Sequence, residues 1–151
     1  METRSFIFTE GILKHKIEYA EADFEYIYGE IFEERGVPKD AIKYLVISEE
    51  HDGRLIPVID SHAPEEYKRG AVAHEHFCRC CHDYDEPLGI RDDYHHCADA
   101  ERLILDHFGG DKKEFIKQRK IMFYTVINYG LNSDPEVIAR MKEALKLLNT
   151  Q

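Results

Sequence analysis

Between His74 and Cys97, a stretch of twenty-four residues, nine side chains are of the kinds that ligate transition metals: His74, His76, Cys78, Cys80, Cys81, His82, His95, His96 and Cys97. All four cysteines of the chain and five of its nine histidines fall in this window. Imidazole nitrogen and thiolate sulfur are the donors that borderline-soft divalent ions prefer, and packing alone gives no reason for such crowding. The window reads as a metal site with zinc as the expected ion. His74 and Cys78 are four residues apart, so on a helix they lie one turn above each other and can reach the same ion. Cys81 and His82 lie on or beside the same stripe, His95, His96 and Cys97 follow on the next helical stretch, and His76 and Cys80 point off the stripe.

The segment His74-Glu75-His76-Phe77-Cys78 has the form His-Glu-x-x-Cys, one substitution from the His-Glu-x-x-His signature of zinc peptidases. In such an enzyme Glu75 is the catalytic residue, a general base that takes a proton from metal-bound water while the ion polarises the scissile carbonyl. One of His95, His96 and Cys97 is the expected third ligand. Three protein ligands leave a position for water and permit catalysis, whereas four close the site and make it structural.

At these residues the chain resembles the ImmA/IrrE-type HExxH metallopeptidases, small proteins that cleave transcriptional repressors. Their ligand-bearing helix reads approximately Glu-Arg-x-Arg-Phe-x-x-Ala-His-Glu-x-x-His, and here the run Glu65-Glu66-Tyr67-Lys68-Arg69-Gly70-Ala71-Val72-Ala73-His74-Glu75 has similar spacing. In that family an acidic third ligand shortly precedes an Ala-Asp or Ala-Asn pair, and Ala98-Asp99 follows His95-His96-Cys97 in this chain. The resemblance covers about residues 40 to 108 and implies His95 as third ligand, with a protein or peptide as substrate. Two positions depart from the pattern: Cys78 replaces the second histidine, and a histidine replaces the acidic ligand. A thiolate donates more charge and makes zinc a weaker Lewis acid without forbidding hydrolysis.

The elements that must carry these residues are legible in outline. Residues 18 to 35 place Phe24, Ile27, Tyr28, Ile31 and Phe32 at helical spacing, ended by Gly36 and Pro38. Ser5 to Thr9 reads as a short strand, and Ile12 to Tyr19 as either a returning strand or a lead into that helix. Ala41 to Ser48 and Leu55 to Asp60 form a hairpin about Asp52-Gly53. Pro57 lacks a ladder donor, which predicts an edge strand or an irregular pairing. A helix is expected from about Ser61 to Tyr84, with Tyr67, Ala71, His74, Cys78 and Cys81 on one face. Asp92 or Asp93 caps another that ends at Gly109-Gly110. A helix from Asp111 to about Tyr129 follows, and a last one from Ser133 with Pro135 in its first turn. The expectation is an α+β fold: a mostly helical single domain over 1–151, with a small antiparallel sheet packed against the ligand-bearing helix. Its metal-binding core would span about residues 40 to 108 and its C-terminal helices about 111 to 149.

A chain of 151 residues buries enough apolar surface to fold without a metal, so an ion here serves more than folding. The net charge of −10 disfavours nucleic acid, which requires a concentrated basic surface. No apolar run approaches a membrane span, and no secretory signal is visible at the N-terminus, so a cytoplasmic protein with reduced thiols is expected. Neither a glycine-rich phosphate loop nor a Gly-x-Ser-x-Gly elbow is present. His15, His51, His62 and His107 read as ordinary structural or solvent-facing histidines. Three functions fit the pattern: a zinc-dependent hydrolase, a non-enzymatic zinc-stabilised regulatory or interaction domain, and a metal or redox sensor whose surplus thiols exchange or oxidise. The sequence leaves oligomeric state open.

Overall fold

Two N-terminal strands, β1 (Thr3–Glu10) and β2 (Leu13–Ala22), pair antiparallel about a turn in which Gly11 takes a positive φ. In this computed structural model, residues 2–78 and 97–151 are described. Helix α1 (Phe24–Glu34) is capped by Asp23, whose carboxylate accepts from the Tyr26 amide at 3.2 Å, and a short helix α2 (Lys39–Ile42) follows. Strands β3 (Val46–His51) and β4 (Arg54–Asp60) form the expected hairpin, with positive φ at both Asp52 and Gly53.

The sheet is mixed, not purely antiparallel. Its order is β1-β2-β4-β3, and β2 runs parallel to β4 over Ala20–Ala22 and Val58–Asp60. The fold is therefore α+β as expected, but the N-terminal hairpin belongs to the same sheet as β3 and β4. Residues 18 to 22 end a strand instead of opening the first helix. The β2–β4 ladder decides this, since it satisfies backbone groups that helix-forming side chains such as Glu18 and Ala20 would leave open to either state. Pro57 sits in a central strand, yet the parallel ladder begins only at Val58, so at Pro57 β4 has only β3 beside it. Ala41 and Ile42, expected to start a strand, lie in α2.

Helix α3 (Glu65–Phe77) lies against this sheet. Lys68 anchors it: the side chain is buried, and its Nζ donates to Glu21 Oε2 of β2 at 3.3 Å and to Glu65 Oε1 at 2.8 Å. The helix ends at Phe77, short of the Tyr84 expected, with Cys78 in extended conformation as its C-cap. Helices α4 (Cys97–Asp106), α5 (Lys112–Asn128) and α6 (Pro135–Asn149) complete the chain. Asp111 caps α5 by accepting from the Glu114 amide at 3.2 Å, and Asp134 caps α6, one residue later than the start expected at Ser133. One apolar core, from Phe8 and Ile17 through Tyr67 and Ile104 to Leu148, joins sheet and helices. Among the described residues no helix is long and apolar enough to cross a membrane.

The approach of α5 to α3 depends on Gly70. A Cβ there would meet Phe115 Cε1 at 2.4 Å, and that ring is held at 4.3 Å between centroids against Phe108. Gly70→Ala is expected to destabilise the protein, because overpacking a fixed ring costs about 1–3 kcal/mol against a helix-propensity gain of about 1 kcal/mol. A lower urea midpoint at unchanged m-value is the expected result, and an unchanged or raised midpoint would refute it.

Candidate metal centre

The last turn of α3 and the first described turn of α4 bring three donors together. His74, Cys78 and Cys97 each offer a ligand atom, all within 4.8 Å of one another. His74 and Cys78 keep their helical relation even though α3 stops at Phe77, because the Cys78 amide still donates to the His74 carbonyl at 2.7 Å. The three side chains are buried at 1%, 0% and 0% exposure. No disulfide joins Cys78 and Cys97, whose sulfurs are 3.4 Å apart.

These separations fit a single ion. Two Zn–S bonds of about 2.3 Å at a tetrahedral angle place their sulfurs about 3.8 Å apart, and a sulfur and an imidazole nitrogen about 3.6 Å apart. Charge fits as well, since two thiolates neutralise a divalent cation and spare the protein an uncompensated buried charge. A Cys2His donor set suits zinc and other thiophilic ions alike.

Behind His74 stands a buried polar chain absent from the sequence reading. Glu101, one helical turn past Cys97, places Oε1 2.8 Å from His74 Nδ1. Arg119 of α5 grips the same oxygen, with Nε at 2.8 Å and a terminal nitrogen at 2.5 Å. Glu101 and Arg119 are both fully buried. Arg119 also reaches the Tyr67 hydroxyl at 3.5 Å, which in turn donates to the Tyr44 carbonyl, and its guanidinium carbon lies 5.0 Å from the Phe123 ring centre. Burial alone would raise the Glu101 carboxyl, but Arg119 and His74 outweigh it and hold the group down at about 2. Burial pushes the Tyr67 phenol up to about 12. A carboxylate on the second nitrogen of a metal-binding histidine fixes its tautomer and ring orientation and raises its basicity. Glu101 itself lies outside the three-residue donor group, so its place is that of a positioning residue. The sequence signal for it was a charged residue within the apolar stripe Cys97, Ala100 and Ile104 of α4.

The remaining sequence candidates divide cleanly. Of the His95-His96-Cys97 run only Cys97 is among the described residues, and it lies beside His74 and Cys78. Cys81, His82, His95 and His96 lie outside the described residues, as does Cys80. Glu75 is half-buried and is not in the donor group. It lines a groove of about 550 Å³ with Tyr28, Ile31, Val46, Leu131 and Met141, and the His74 and Cys78 side chains do not line it.

His76 faces the N-terminal hairpin. The Phe77 ring lies 5.0 Å from the rings of both His76 and His15, and His15 Nε2 is 3.0 Å from Glu10 Oε1. Burial first, and the neighbouring His15 second, push the His76 imidazole down to about 4. The unfolded chain takes up this proton near pH 6.5, while the folded chain refuses it until about pH 4. Its contribution to stability is thus complete above about pH 6.5 and is lost as the pH falls toward 4. His76→Phe is expected to remove about 2 kcal/mol of the stability lost between pH 7 and pH 5. Urea unfolding of both proteins at the two pH values measures it, and equal losses would show that His76 is not the group responsible.

Comparison with protein families, with characterised proteins and with solved structures finds no match to this chain.

Proposed function

We propose that this chain is a zinc protein in which the metal, held by His74, Cys78 and Cys97, clamps the end of α3 to the start of α4 as the core of a non-enzymatic regulatory or interaction domain. The observation that carries this reading is the burial of all three donors against the charge-neutral Glu101–Arg119 pair. Donors sealed from solvent suit a structural site, whereas a hydrolytic site keeps a position open to water and substrate. The sequence offers Cys81, His82, His95 and His96 as the fourth donor. A hydrolase of the ImmA/IrrE type is the second reading, and it rests on the His-Glu-x-x-Cys spacing with Glu75 as general base.

The test is metal analysis of the purified protein and its variants, together with a peptidase assay on a generic unfolded protein. Near one zinc per chain is expected, falling about tenfold in Cys97→Ala and in His74→Ala because each removes a direct donor. Glu75→Gln should retain its zinc, and neither it nor the wild type should cleave the substrate. Cleavage that disappears in Glu75→Gln with zinc retained would replace the clamp by the hydrolase, and metal-free wild-type protein would end both.

A further inference from the structure

The two sulfurs of the centre are neighbours as well as co-ligands. Their 3.4 Å separation falls between the roughly 3.8 Å of two thiolates on one tetrahedral zinc and the 2.05 Å of a covalent bond. A shift of less than about 2 Å therefore carries the pair from one state to the other. Cys78 stands at the C-cap of α3 with an extended backbone while its amide stays bonded to the His74 carbonyl, so the approach of the two sulfurs falls to their side chains. Cys97 belongs to a different element, so the pair joins the same two helices that the metal would join.

We infer that Cys78 and Cys97 form a site of reversible oxidative modification, in which a hydroperoxide converts the pair to a disulfide and the metal is released. This deepens the metal-centre reading and rests on it for the release step. One thiolate attacks the peroxide oxygen, forming a sulfenic acid and expelling alcohol or water. The second sulfur then displaces that hydroxyl as water and closes the S–S bond. In sum two thiolates, one hydroperoxide and two protons give one disulfide, one alcohol and one water. The sulfurs lose two electrons to the peroxide, and zinc remains divalent throughout. A disulfide is a poor donor, so of the three described ligands only His74 still holds the ion, and the ion leaves. The helices stay joined in both states, by the ion when reduced and by the bond when oxidised.

The chain permits a direct assignment of the bond. Arg69, Arg79, Arg91 and Arg102 divide it so that trypsin places Cys78 in the peptide 70–79, Cys80 and Cys81 in 80–91, and Cys97 in 92–102. Wild-type protein with its zinc quantified is treated with hydrogen peroxide, in parallel with a metal-stripped sample. Released zinc is followed with a chromophoric chelator, and the alkylated digest is analysed by mass spectrometry. The expected result is one zinc released per cross-link between peptides 70–79 and 92–102, reversed by dithiothreitol, with the stripped sample cross-linking faster. A Cys80→Ser, Cys81→Ser variant should give the same cross-link. Three results would overturn the inference: sulfinic acid on Cys78 or Cys97 without a cross-link, a bond to peptide 80–91 in its place, or thiols unchanged in both samples. Protein purified without metal that still forms the 70–79 to 92–102 bond overturns the metal centre and supports the disulfide site.

Discussion

Arg119→Met is expected to cost about 3–5 kcal/mol of folding stability, a large share of the roughly 5–15 kcal/mol that holds a domain together. The guanidinium is fully buried and donates twice to Glu101 Oε1, so its loss strands a carboxylate where water cannot reach it. Methionine nearly fills the volume, which leaves the uncompensated charge as the main cause. Adding Glu101→Leu removes that charge. The double variant should recover most of the lost stability, falling short by the roughly 1–3 kcal/mol of an unpaired buried His74 nitrogen. Zinc should nevertheless bind it about 10- to 100-fold more weakly than wild type, because nothing then orients the imidazole. Urea unfolding of metal-free protein measures the first effect and competitive zinc titration the second. If the double variant is as unstable as Arg119→Met, or binds zinc as tightly as wild type, the role given to this pair is wrong.

Chelation is expected to lower the thermal midpoint by about 8–16 °C. A ligand present at a thousand times its dissociation constant stabilises the folded state by about 4 kcal/mol, and each kcal/mol moves the midpoint of a chain of this size by about 2–4 °C. The apolar core from Phe8 to Leu148 has ample contacts apart from the metal, so the stripped protein should still unfold cooperatively at the lower temperature. Calorimetry with and without excess chelator gives the shift, and Cys97→Ala should show none. An identical midpoint for stripped and loaded wild-type protein would mean that the ion does not link α3 to α4.

How far the site could be read from the chain follows from the range of each interaction. His74 and Cys78 were legible because their relation is one helical turn, and the density of thiols and imidazoles pointed to the His95-His96-Cys97 run without choosing Cys97, the resemblance having favoured His95. Glu101 and Arg119 were not, since a single charged residue on a helix ordinarily faces water. Only its position within an apolar stripe marks the exception: Glu101 beside Ala100 and Ile104, Arg119 between Phe115 and Met122. The Asp52-Gly53 hairpin and the caps at Asp111 and Asp134 are local and could be read from a few residues. The parallel pairing of β2 with β4 is not local. It joins Ala20 to Val58 across α1, α2 and β3, and no short-range pattern in residues 18 to 22 distinguishes that strand from a helix.

That short ladder would also govern how an ion enters and leaves a centre held by these residues. Only three residue pairs tie the N-terminal hairpin to the rest of the sheet, while the hairpin lays Phe8 and His15 on Phe77, the residue immediately before Cys78. With the donors sealed from solvent, an ion could pass only when part of the wall lifts, and the hairpin is joined to β4 by the shortest ladder of the described sheet. The residence time of an ion held there would then report the opening of the N-terminal strands.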